Sequence, residues 1–151
     1  MEQNRIVANN RLQEEQEKVS EIVSVLRAIS DEKSYNLFST IALKNGDSEL
    51  LVTKMHLTRK QFYSRLSRLR SAGLIKRKDF KFFLTTFGKV IYESLKLQEK
   101  AVENSWKLKA IDTIKQQQYI NKDEIPEEEL RKLIDTLIQD QRINEIILLQ
   151  K

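Results

Sequence analysis

Apolar residues recur at three- and four-residue steps along most of this chain, and interruptions of that rhythm divide it into segments. Leu12, Val19, Ile22, Val23, Leu26 and Ile29 alternate with Glu14, Glu15, Glu17, Lys18 and Glu21, which predicts an amphipathic helix from about Asn10 to Ala28. Ser30 and Asp31 offer N-caps for a second helix bearing Tyr35, Leu37, Phe38, Ile41, Ala42 and Leu43, and Asn45-Gly46 supplies a left-handed ending. Asp47 or Ser48 can cap a short third helix, Glu49 to Met55, after which His56-Leu57-Thr58 reads as a tight turn.

Thr58 is the expected N-cap of a fourth helix that runs to Ala72, with Gly73 as its C′ residue. On a wheel of about 100° per residue, Leu66 and Leu69 fall near Phe62 and define a core stripe, while Lys60, Ser64, Ser67 and Ser71 lie opposite, flanked by Gln61, Tyr63 and Arg68. Short serines between cations let a helix enter a groove without steric conflict. Leu74 to Lys78 and Phe80 to Leu84 then form two strand-like runs around Asp79, a hairpin whose turn lacks the usual Gly. Thr85 or Thr86 caps a long helix expected to continue through Ile114, bearing Val90, Ile91, Leu95, Val102, Trp106 and Ile111. Gln116 to Glu124 reads as a polar break. Pro126 at N1, with Glu127, Glu128 and Glu129 at the positive end of the dipole, opens a last helix to about Leu149 that carries Leu130, Leu133, Ile134, Leu137, Ile138 and Ile147.

Charge changes the picture. Between Lys54 and Lys89 eleven basic residues face one acidic residue, Asp79, a net of +10, while the whole chain carries only +5 and the remainder is therefore at −5. Cations gathered in one segment neutralise phosphates and release their counterions, so a polyanion is the expected partner of the middle of the chain. The 151 residues contain no Cys and a single His, His56, which argues against disulfides, thiolate chemistry and an imidazole-built metal site. His56 itself reads as a turn residue. No nucleophile, base and orienting group can be assembled, so a non-enzyme with no cofactor and no metal is expected. No apolar run approaches the length a bilayer requires, and the polar start lacks a signal-peptide core, which leads to the expectation of a cytoplasmic protein with no membrane association.

Helix, short helix, tight turn, basic helix, hairpin and helix, in that order, make a winged helix-turn-helix arrangement. The fold class expected is mainly α with a small β-hairpin, in three parts: an N-terminal helix over 1–29, a winged helix-turn-helix domain over 30–97 and a C-terminal helical extension over 98–151. Ala28-Ile29-Ser30-Asp31 with Leu37 to Ile41, the run Leu57 to Ile75 ending in Ser71-Ala72-Gly73-Leu74-Ile75, and Leu84-Thr85-Thr86-Phe87-Gly88 after the hairpin resemble the ArsR-like and related archaeal winged-helix transcriptional regulators over some 65 to 70 residues. The resemblance implies sequence-specific binding of double-stranded DNA. Thr58, Arg59, Lys60, Gln61, Tyr63, Ser64, Ser67 and Arg68 would face the major groove, and Lys76, Arg77, Lys78 and Lys81 would belong to a wing on the backbone or minor groove. Metal sensing, which metal-responsive members build from Cys, His and carboxylates, is not implied in a chain without Cys.

Such regulators place two recognition helices in successive grooves, so a homodimer is expected. The candidate interface is Leu12, Val19, Ile22 and Leu26 on the first helix together with Trp106, Ile111 and Leu137. An intramolecular hairpin of the last helices competes for part of the same surface. The alternative function is a protein-interaction module docking to transcription machinery or another partner through the flanking helices, and RNA remains open as a polyanion.

Overall fold

The computed structural model of the chain describes residues 2–44, 52–53, 55–121 and 125–149. The elements are α1 (Glu2–Ile29), α2 (Glu32–Lys44), α3 (Arg59–Ser71), strands β1 (Ile75–Lys78) and β2 (Lys81–Leu84), α4 (Thr86–Glu103), α5 (Ser105–Asn121), α6 (Glu127–Leu137) and α7 (Gln141–Leu149). The protein is mainly helical with one small antiparallel hairpin. Of the expected third helix, Val52 and Thr53 are helical, and most of the remainder, with the Asn45-Gly46 ending, lies outside the described residues. The chain divides into two compact units, 1–92 and 93–151, so the first helix and the hairpin share one unit.

In the first unit Leu37, Phe38 and Ile41 of α2, Phe62, Leu66 and Leu69 of α3, and Leu74, Ile75 and Phe82 of the hairpin are buried together with Ala28, Ile29 and Leu57. Helix α1 begins eight residues before the expected start at Asn10, because nothing between Glu2 and Asn9 breaks a helix. Only its end enters this core. Leu12, Val19, Ile22 and Leu26 are each more than half exposed. Leu43, assigned to the apolar side of the second helix, is exposed as well.

Asp31, rather than Ser30, caps α2: its Oδ1 accepts the Ser34 amide at 3.0 Å and its Oδ2 accepts the Ser34 hydroxyl at 2.7 Å. The same carboxylate accepts hydrogen bonds from Arg65 of α3, with Nη2 at 3.2 Å, and so ties the start of α2 to the middle of α3. The Ser34 hydroxyl holds the Asp31 carboxyl below its ordinary pKa, opposed by partial burial and aided by the Ser34 amide and the Arg65 guanidinium. A carboxylate depressed on folding contributes stability that is full above its unfolded value, about 3.9, and is lost as pH falls through the folded value. Asp31→Asn is therefore expected to melt lower than the wild type near neutral pH, with the gap held down to about pH 4 and closing as the pH is lowered further. A gap that stays constant or widens on acidification would show that Asp31 makes no such contribution.

The second unit has its own core, Ile111 of α5 with Ile134, Ile138 and Ile143, onto which Leu97, Leu108, Leu130 and Leu137 pack. Two long helices expected from periodicity are four here. Asn104 interrupts the first: its Nδ2 donates to the Lys100 carbonyl at 2.9 Å, and its own carbonyl receives the Leu108 amide as α5 starts afresh. The stretch Gln116 to Asn121 continues α5 instead of ending it, since its three glutamines favour helix and polarity alone does not stop one. The last helix is interrupted over 138–140, where Ile138 is extended and Asp140 caps α7 through the Ile143 amide at 3.2 Å. Asn144 fills the break by donating to the Ile138 carbonyl at 2.8 Å and to Asp135 at 3.0 Å. Pro126 stands at the N-cap of α6, one residue before the expected N1, with the three glutamates following in the first turn.

Candidate nucleic-acid interface

Local chemistry fixes both ends of α3. The Thr58 Oγ accepts the Gln61 amide at 3.2 Å while Gln61 Oε1 accepts the Thr58 amide at 3.3 Å, a reciprocal capping box. At the other end Leu74 N–H reaches the Leu69 carbonyl at 3.0 Å and Gly73 N–H the Arg70 carbonyl at 3.0 Å, with Gly73 at φ +73°, and Leu69 and Leu74 are both fully buried. This is a Schellman ending with its hydrophobic contact. The helix is thereby held rigidly between a polar cap and the hairpin.

Phe62, Leu66 and Leu69 point into the core, and Arg59, Lys60, Tyr63, Ser64, Ser67 and Arg68 are exposed. The Tyr63 ring meets the edge of Phe62 at 5.4 Å, which steadies its base while leaving the ring accessible. Two sequence-derived contacts need revision. Thr58 and Gln61 are exposed, but each commits its side-chain oxygen to the cap, so what they retain for a ligand is the Thr58 hydroxyl proton and the Gln61 amide NH2. Arg65, about 60° from Phe62 on the wheel, turns to Asp31 and is withdrawn from the free charge.

The hairpin pairs Ile75 with Leu84, Lys76 with Phe83, Arg77 with Phe82 and Lys78 with Lys81. Cross-strand partners share a face and faces alternate, so Ile75, Phe82 and Leu84 define the core side while Lys76, Lys78 and Lys81 line the other. Arg77 is the exception on the inner side. Its guanidinium lies 5.2 Å from the Phe80 ring centre and 6.0 Å from that of Phe82. The turn is Asp79-Phe80, both at positive φ, 49° and 62°. Sequence reading gave Phe80 to the second strand; the clue to its real position was the missing Gly, since a two-residue hairpin turn requires positive φ from whatever residues stand there.

At the exit of the hairpin, Thr85 donates its backbone N–H to the Leu74 carbonyl at 3.0 Å and its hydroxyl to the Gly73 carbonyl, and its Oγ accepts the Gly88 amide at 2.9 Å. One threonine thus joins the end of α3, the hairpin and the start of α4.

Nine basic residues of this segment, Arg59, Lys60, Arg68, Arg70, Lys76, Arg77, Lys78, Lys81 and Lys89, are exposed and have no carboxylate partner among the described residues. Arg70 and Lys89 were not among the sequence-derived contacts. Arg59 and Lys60 stand at the positive end of the α3 dipole, where no acidic residue balances them. That placement weakens the helix slightly and concentrates potential for an anion.

The candidate interface residues divide. Leu12, Val19, Ile22 and Leu26 are exposed, as is Trp106, 64% accessible with Lys107 Nζ 5.7 Å from its ring. Ile111 is instead buried in the second core and offers no surface, and Leu137 is half-buried where it packs against that core; much of their periodicity reports burial within the chain. Among the described residues no group of three or more His, Cys, Asp or Glu could hold a metal ion, and no helix is long and apolar enough to cross a membrane. No family model, no curated protein and no solved structure matches the chain.

Proposed function

We propose that the protein is a winged helix-turn-helix regulator of transcription, similar to the ArsR-like group, that binds double-stranded DNA rather than catalysing a reaction. Helix α3 enters the major groove, the hairpin serves as the wing on the backbone or minor groove, and the protein acts in the cytoplasm as a homodimer. The observation that carries this reading is the set of nine exposed cations on and beside α3 and the hairpin, none balanced by a carboxylate among the described residues. Leu12, Val19, Ile22 and Leu26, at the seven-, three- and four-residue spacing of a coiled-coil seam, are the surface proposed for the second copy.

A salt titration of binding to arbitrary duplex DNA tests this. Affinity is expected to fall steeply with salt, and Lys78→Ala with Lys81→Ala to weaken binding to every sequence and flatten the log-log slope by up to two contacts, roughly 0.9 each. The complex is expected to contain two chains. An unchanged slope removes the wing from the interface, and a single chain on the duplex removes the dimer. The exposure of Val102 and Trp106 favours a second reading, docking of a protein partner on the second unit. Salt-independent or absent DNA binding would put that reading first.

A further inference from the structure

Three local rules are broken within four consecutive residues. First, Asp79 and Phe80 both adopt positive φ, and Phe80, at 62°, is a bulky residue in a region that favours Gly and Asn. Second, Lys78 and Lys81 are direct cross-strand partners, so like charges stand opposite one another at the tip, an arrangement that opposes pairing. Third, Phe80 is 77% exposed at the apex even though Arg77 covers part of one face of its ring. Each is a cost to the free protein. Rule-breaking that clusters in one place marks function more often than accident.

Two of these costs, the opposed lysines and the exposed ring, are offset by the same ligand, and the third, the left-handed backbone, presents the ring to it. The minor groove of B-DNA is about 6 Å wide, so the body of a two-stranded ribbon does not fit but the two-residue tip of one does. A tip that enters brings the opposed Lys78 and Lys81 toward the phosphates on either side, which turns their mutual repulsion into attraction. It also carries the phenyl ring, an apolar plate without hydrogen-bonding groups, to the floor of the groove, where apolar wedges part neighbouring base pairs. The left-handed backbone is what keeps Phe80 at the apex instead of against β2.

Building on the regulator reading above, we infer that Phe80 is an apolar wedge that the hairpin inserts between base pairs from the minor groove of duplex DNA. Pyrimidine–purine steps, which unstack at least cost, are its preferred sites. Selectivity then arises at positions that the basic side chains do not read. Asp79 opposes the approach by its charge, while its residue type suits the left-handed turn. Its carboxylate therefore limits affinity without shaping the wedge.

The test uses the full chain and duplexes of about 25 base pairs carrying 2-aminopurine within a TA step, a probe whose emission rises on unstacking. Wild type is expected to bind with a rise in emission. Phe80→Gly, which relaxes the turn, is expected to melt higher than wild type yet bind about tenfold more weakly with no rise, whereas Phe80→Leu keeps most of the affinity and of the rise. Asp79→Asn is expected to bind more tightly. Binding by Phe80→Gly equal to wild type, or a wild-type complex with silent 2-aminopurine, overturns the wedge while the regulator reading stands. Preference for single strands over the closed duplex overturns it too, by making Phe80 a stacking platform. Absence of duplex binding by wild type overturns both.

Discussion

Gly88→Ala is expected to cost about 4 kcal/mol or more and to leave the first unit unfolded or close to it. A Cβ at this position would stand 1.9 Å from the Leu74 carbonyl oxygen and 2.9 Å from its carbon. The obstacle is backbone, and Leu74 cannot retreat: its side chain is fully buried, and its carbonyl already accepts the Thr85 amide. Relief would require moving the start of α4, which would break the Gly88 amide to Thr85 Oγ bond and with it the link to the end of α3. Replacing Gly by Ala inside an ordinary helix stabilises by about 0.5 to 1 kcal/mol, so the sign of the effect is itself diagnostic. Equilibrium denaturation decides it, and a variant as stable as wild type would mean that α4 does not approach the hairpin as described.

Phe62→Ala and Lys60→Ala are expected to separate cleanly although the two residues are neighbours on α3. Phe62 is fully buried, and its truncation is expected to cost about 3 to 5 kcal/mol through lost transfer energy and the cavity left behind. Lys60 is exposed without a carboxylate partner among the described residues, so Lys60→Ala is expected to stay within about 0.5 kcal/mol of wild type while reducing discrimination between target and random DNA. Melting curves read beside binding isotherms distinguish the two effects. Full stability in the Phe62 variant, or a large loss in the Lys60 variant, would mean that α3 is rotated from the face assigned to it.

What the sequence made legible was mostly local. Helix α3 runs between the expected Thr58 cap and the expected Gly73 ending because a capping box and a Schellman turn are closed by residues within five positions of one another. The breaks at Asn104 and over 138–140 were not legible, since they depend on a side chain competing with the backbone at a point where the apolar rhythm continues. Periodicity also says that a face is covered without saying by what. Ile111 therefore reads like an interface and proves to be core, with Leu137 half-buried against it, while Leu12 and Ile22 read the same way and remain open. At the candidate site, the exposed face of α3 followed from the wheel, but the withdrawal of Arg65 to Asp31 and the apex position of Phe80 required long-range pairing and a turn geometry that composition does not encode.

Helix α1 has a consequence of a different kind. From Leu12 to Ile22 its side chains are exposed, so its helicity along that stretch draws nothing from the core that stabilises its last turn. Nucleating and holding several turns without tertiary cover is marginal in water, and the helix–coil balance of this arm is set by whatever lies against it. A lone chain frays from the N-terminal end, and a covered one is held along its length. Amide exchange along α1 is thus a readout of occupancy, with a gradient from fast to slow toward Ile29 in the free chain and a plateau once the stripe is covered.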